Sequence, residues 1–208
     1  MQGSCPLEDV IATEALDQRT AHVPDRAAEA RAMDGLKQAL AGSPRSVLQK
    51  LAEVGLELCG AQTAGVSLLE EADGRRFFRW YAVAGEWDRL LWTTLPREFS
   101  PCGTVLDRQE ALLMVDPERY FGRLGQVQER VSELLLVPFE AGGQMVGTVW
   151  VVAHDTAHRF DSEDCRIVTE LTRFAAVAYE RLQSFKADDV RELSRMHLVP
   201  EPGTRKKV

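Results

Sequence analysis

Cys102 stands in the stretch REFSPCGTVLD, residues 97–107, between Pro101 and Gly103. If Gly103 opens a helix, backbone N–H groups point toward the sulfur, lower the thiol pKa and favour thiolate. Such a thiolate could react with oxidants, hold a metal or attack a substrate. The other reading is a small residue packed at a pocket mouth, with Gly103 supplying a backbone angle that other residues do not adopt. Arg97, Glu98, Asp107 and Arg108 surround the thiol and could tie this segment to the domain or hold an anionic ligand. His154 and His158 flank DTA in AHDTAHRFD. Their spacing suits two metal ligands on a helix, but the segment reads as a strand-to-helix loop. No carboxylate pair at helical spacing completes a set, so no metal site is expected.

The aromatic residues are a second group. Trp80, Trp87, Trp92, Phe99, Tyr120, Phe121 and Trp150 all fall in or near the strand-rich middle of the chain. Pockets are largely apolar and aromatic with a few polar groups, and aromatic side chains also fill cores. The candidate ligand-binding residues are Trp80, Phe99, Cys102, Tyr120, Trp150 and His154. Alternation along the last strand puts His154 on the face of Trp150, Thr148 and Val152. There is no Ser-His-Asp set, no framed carboxylate pair and no GxxxxGK phosphate loop, so no catalytic residue is assigned.

The elements that must position these residues follow from pattern. Residues 1–24 form an arm in which LEDVIATEALDQR predicts a short helix, ended by His22-Val23-Pro24. Asp25 is a natural N-cap for a helix carrying Met33, Leu36 and Leu40, taken as residues 25–43 with its stop. Ser43-Pro44 opens the next helix, with Val47, Leu51, Val54 and Leu58 on one face and Cys59 as a small buried apolar residue beside it. TAGVSLLEE and RRFFRWYAVAG read as strands joined at Asp73-Gly74, a hairpin turn signal. Residues 86–128 are mixed, with short helical pieces and one apolar run, ALLMV. VSELLLVPFEAGGQMVGTVWVVAHD reads as two strands meeting at Gly142-Gly143, apolar on both faces and so covered on both faces. Asp161 caps a long helix whose apolar stripe, Ile167 to Phe185, outruns one small sheet and calls for a partner helix. The order predicts an α+β fold: an antiparallel sheet, terminal helices on one face, the insert on the other, and a ligand cavity between sheet and insert.

Composition narrows the function classes. The 208-residue chain is 45% hydrophobic and 27% charged, with a formal net charge of -7. That balance argues against a nucleic-acid surface, which needs clustered Lys and Arg. The one basic cluster is the tail Arg205-Lys206-Lys207. No apolar run reaches the roughly 18 residues of a membrane span, and the N-terminus lacks a secretory pattern. Cys5, Cys59, Cys102 and Cys165 form no CxxC pair, so a zinc site of that spacing is not expected. Scattered thiols of this kind suit a reduced, cytoplasmic chain.

At this point the sequence resembles a known family. LVPFEAGGQMVGTVWVVAHDTAHRFDSEDCRIVTELTRFAAVAYERL resembles the second half of a GAF domain, at Val137, Pro138, Phe139, Gly147, Phe160, Asp161, Asp164 and Leu171. SVLQKLAEVGLELCGAQTAGVSLLEEADG resembles the first helix and strand, and residues 44–185 are taken as the domain, with 186–208 a helix extension and tail. The segment from Pro96 to Phe121 and the arm resemble N-terminal GAF segments of bacterial sensor histidine kinases. The resemblance implies a six-stranded antiparallel sheet, a helical homodimer, a small-molecule ligand and a two-component signalling role, with a histidine kinase or another signalling protein as partner. It leaves the cofactor unknown, because members bind cyclic nucleotides, bilins, haem, small metabolites or nothing. The chain carries no phosphoacceptor box or ATP-binding glycine segment after residue 186, so it is expected to signal without catalysis, through a partner or as part of a longer sensor. A redox-sensing Cys102 is the alternative. A free methionine sulfoxide reductase is a further one, but that branch needs a later cysteine and RYFGRLGQVQERVSELLL has none. The bilin-anchoring patterns are also missing, since Gly103 stands where a His would follow the cysteine.

Overall fold

The computed structural model describes residues 5–122, 124 and 130–196, with side chains as far as residue 185 in the last helix. The basic tail lies outside the described residues. The arm is not the single helix expected. It makes a 3-10 turn at Leu7–Asp9 and the one-turn helix α1 (Ala15–Gln18). Between them Ile11 bridges to Met114. Ala12 donates to the Leu113 carbonyl at 2.8 Å, and Val10 accepts from Val115 N–H at 2.8 Å. Backbone groups used on a sheet edge are not available to a helix. Burying Val10 and Leu16 at 1% and 4% exposure favours the paired form.

The other helix starts form where their caps stand. Asp25 accepts from the N–H groups of Ala27 and Ala28 at 3.1 and 2.9 Å and opens α2 (Arg26–Ala39). Ser43 accepts from Ser46 N–H at 3.1 Å and opens α3 (Pro44–Leu58), with proline in its first turn. Ser100 accepts from Gly103 N–H at 3.1 Å and opens α4 (Pro101–Arg108). At α5 (Ser162–Met196) the cap is reciprocal. Asp161 accepts from Glu163 and Asp164 N–H at 2.8 and 3.3 Å, and Asp164 accepts from Asp161 N–H at 2.9 Å. That is a capping box with aspartate in both roles.

The strands are β1 (Thr63–Ala72), β2 (Arg75–Gly85), β3 (Thr94–Pro96), β4 (Leu112–Val115), β5 (Glu133–Ala141) and β6 (Gln144–Ala153). They form one six-stranded sheet in the order β3-β2-β1-β6-β5-β4, every neighbouring pair antiparallel. Both predicted hairpin turns are present, with Asp73 and Gly74 at φ 51° and 69° and Gly142 and Gly143 at 59° and 78°. Alternation splits the core in two. Val66, Leu135, Val149 and Val151 face α3 and α5, where Leu48, Leu51, Val168 and Leu171 cover them. Leu134, Leu136, Trp150 and Val152 face the insert, where Cys102, Val105 and Leu106 of α4 cover them. This is the predicted α+β layering, with terminal helices on one face and the insert on the other. No described helix is long and apolar enough to cross a membrane.

Candidate functional site

A bulge determines which aromatic side chains meet on the insert face. β1 and β2 pair Val66 with Ala82 but Ser67 with Trp80, so the register slips by one residue at Tyr81. A one-residue slip exchanges the faces of a strand, and it puts Trp80 over Ser67 on the insert side while Ala82 stays on the helix side. Trp150 reaches the same place from β6 by lying across Gly65, where a Cβ would fall 2.3 Å from its ring. Its indole N–H donates to Ser67 Oγ at 2.8 Å. Trp87, just after β2, completes the group. It stacks on Trp80 at 5.6 Å and an interplanar angle of 11°, and its ring centroid is 6.2 Å from that of Trp150.

The three indoles line a cavity of about 20 Å³ together with Leu95, Pro101, Cys102, Leu124, Leu134 and Leu136. A water needs roughly 10–15 Å³ on this measure, so the cavity as it stands admits one. Its polar edge is short. Thr148 Oγ1 donates to Cys102 Sγ at 3.3 Å. The Trp87 indole N–H is buried and has no hydrogen-bond partner among the described residues. An unpartnered buried donor costs roughly 1–3 kcal/mol and will favour any acceptor placed beside it.

Cys102 itself is not poised as a thiolate. It is the second residue of α4 and only 4% exposed. Burial pushes its pKa up, and the contacts with Thr148 and Ser67 only partly oppose that. The thiolate-favouring helix terminus anticipated at Gly103 is outweighed by desolvation. The role expected for Gly103 also changes. It has no positive φ; instead, a Cβ there would fall 2.0 Å from the Arg97 carbonyl oxygen.

The six candidate residues divide. Trp80, Cys102 and Trp150 line the cavity. Phe99 and Tyr120 lie on the far side of α4, in an open surface groove with Arg97 and Asp107. Phe99 is 63% exposed and holds φ 56°. His154 lines neither, but its ring packs on Trp87 with centroids 5.0 Å apart. Its Nδ1 is 2.8 Å from the Arg130 carbonyl and its Nε2 2.8 Å from Thr63 Oγ1. A carbonyl only accepts, so in the neutral ring Nδ1 carries the proton and Nε2 accepts from the threonine. His158 points elsewhere, onto Phe160 with centroids 5.0 Å apart. Arg97 pairs with Asp107 through both guanidinium nitrogens, holding that carboxyl below its usual range, and Arg108 pairs with Glu8 of the arm. Leu95, Leu124, Leu134 and Leu136 were missed as wall residues. For the last two a signal existed, because period-two alternation places them beside Val152 and Trp150.

A single antiparallel sheet with helices behind it and an indole-lined cavity under a helical insert defines a class of α+β ligand-pocket domain. A sequence model of the GAF domain matches residues 41–180, and the chain belongs to that family. GAF domains are in general sensor modules that bind small ligands. The fold is similar to that of the GAF domain from a phosphoenolpyruvate-protein phosphotransferase of Coxiella burnetii, at 16% identity and a TM-score of 0.62, covering 77% of this chain and 98% of that one. It is also similar to free methionine-R-sulfoxide reductase from Neisseria meningitidis in complex with its substrate, at 17% identity and a TM-score of 0.61, covering 79% and 96%. A third is the phycoerythrobilin-bound GAF domain from a cyanobacterial phytochrome, at 12% identity and a TM-score of 0.56, covering 77% and 97%. At these identities the likeness concerns the fold. No curated protein matches the chain.

Proposed function

We propose that this chain is a cytoplasmic, non-catalytic sensor of bacterial signal transduction that binds a small, largely apolar ligand carrying one hydrogen-bond acceptor. The ligand sits among Trp80, Trp87, Cys102 and Trp150, and the response passes along α5 of a homodimer to a histidine kinase or another signalling partner. The observation that carries this reading is the buried indole N–H of Trp87, without a partner among the described residues, on a ring that lines an apolar cavity. The cavity is small, so a ligand larger than water enters only when its walls give way. A ligand that binds the opened arrangement better shifts the population toward it. Cys102 then acts as a wall residue, because burial holds it as a thiol.

The test is native mass spectrometry and absorbance on freshly purified protein, followed by thermal shifts against a panel of small apolar compounds with and without an acceptor. A bound mass released on denaturation is expected, or else shifts confined to acceptor-bearing compounds. Trp87→Phe should abolish the preference for an acceptor, and Cys102→Ser should keep the response. A chain of bare mass that no compound stabilises would overturn the reading, and a response lost in Cys102→Ser would favour the redox alternative.

A further inference from the structure

Away from the tryptophan cavity, the topology brings the arm to the start of α5. Arg19 grips Glu133 through both guanidinium nitrogens, at 2.7 and 2.8 Å. That pairing delivers His22 to a helix start 139 residues further along the chain. His22 N–H donates to Asp161 Oδ2 at 2.8 Å, and His22 Nδ1 is 3.0 Å from the same oxygen. His22, Asp161 and Asp164 each offer a ligand atom, and these atoms lie within 4.8 Å of one another.

Each carboxylate oxygen can be accounted for. Asp161 Oδ1 and Asp164 Oδ2 serve the helix cap. Asp161 Oδ2 faces His22. Asp164 Oδ1 is buried and has no partner among the described residues, in a residue only 2% exposed. Among the described residues, neither aspartate forms an ion pair with a lysine or arginine, and the one basic contact is His22. The helix terminus supplies only about half a positive charge against two carboxylates, so the pocket stays anionic. Cys59 Sγ is 4.0 Å from the Asp164 carbonyl oxygen, but burial and Asp164 itself push its pKa well up, so it stays a thiol.

We propose that His22, Asp161 and Asp164 form a binding site for a divalent first-row cation, zinc being the best match, that fastens the arm to the start of α5. One imidazole and two carboxylates suit zinc with water in the fourth position. Tetrahedral ligands at about 2.0–2.2 Å from zinc lie roughly 3.3 Å apart. The His22–Asp161 contact of 3.0 Å is already near that spacing. The side chain of His22 is 41% exposed and free to adjust, while the two aspartates are held by the cap. Bound metal would take the place of the histidine–aspartate hydrogen bond and give Asp164 Oδ1 its missing partner.

The test is calorimetric titration of the chelator-treated full chain with zinc chloride, with the optical spectrum of the cobalt-loaded protein beside it. One zinc per chain is expected, weakened at least about tenfold by His22→Ala and by Asp164→Asn. Asparagine keeps a carbonyl oxygen for the cap, and unchanged far-ultraviolet circular dichroism would confirm that the variant folds. Cobalt should give visible bands without a thiolate charge-transfer band. No saturable zinc uptake below about 1 mM, uptake unchanged in both variants, or a thiolate band would each overturn the proposal.

Discussion

At Gly103 a methyl group meets the Arg97 carbonyl oxygen, and backbone cannot step aside as a flexible side chain can. Gly103→Ala should therefore cost about 1–3 kcal/mol, read as a lower urea midpoint with an unchanged slope. Loss well under that range would mean the turn before α4 moves freely. The Cys102-Gly103 pair stands out in the sequence, but the close approach that calls for glycine does not. The close approach depends on how the chain turns between β3 and α4, and no local pattern specifies that turn. The same holds for the tryptophans. Trp80 and Trp150 announce themselves as large residues on strands, whereas the burial of the Trp87 N–H without a partner among the described residues appears only in the folded chain. Phe99 and Tyr120 were grouped with the cavity as aromatic residues of the insert, yet they line a separate surface groove.

Among the elements, the arm holds its place by a charge contact with the sheet. Glu133 is 1% exposed, and its carboxylate takes both Arg19 nitrogens and the Phe160 N–H. Removing one partner of a buried pair leaves the other uncompensated. Arg159 stands 3.6 Å from Glu133 and is largely exposed, so it can stand in only in part. Arg19→Ala should cost about 3 kcal/mol, measured by denaturant unfolding, and should open the arm to limited proteolysis. A variant as stable and as resistant as the parent would show that the arm is held by Val10 and Leu16 alone. Helix starts were readable because Asp25, Ser43 and Asp161 act on N–H groups two and three residues away. The arm was misread as one helix because its partner, β4, lies about a hundred residues further along. β3 has only three residues and ends in proline, too short for any periodicity to mark.

For the whole molecule, the order of helices and hairpins sufficed to predict the layers, since each hairpin is local and each helix has one apolar face. Cavity size was beyond reach, because it depends on how three indoles from separate segments settle together. Along α5, Leu171, Ala175, Ala178 and Leu182 face the sheet, while Val177 at 42% and Phe185 at 56% remain exposed. We expect this outer stripe to join two copies. Sedimentation velocity should find a dimer that Val177→Glu with Phe185→Glu converts to monomer, and a dimer untouched by both changes would place the interface elsewhere. The sheet ends in two short strands, β3 with three residues and β4 with four. Beyond β4, the backbone of Val10 and Ala12 occupies groups that would otherwise face outward. An open row of such groups is a template for another chain. A chain begun at residue 25 would thus lose more than a few contacts. It would bare a strand edge and invite sheet-to-sheet growth, so the arm is also this domain's protection against its own aggregation.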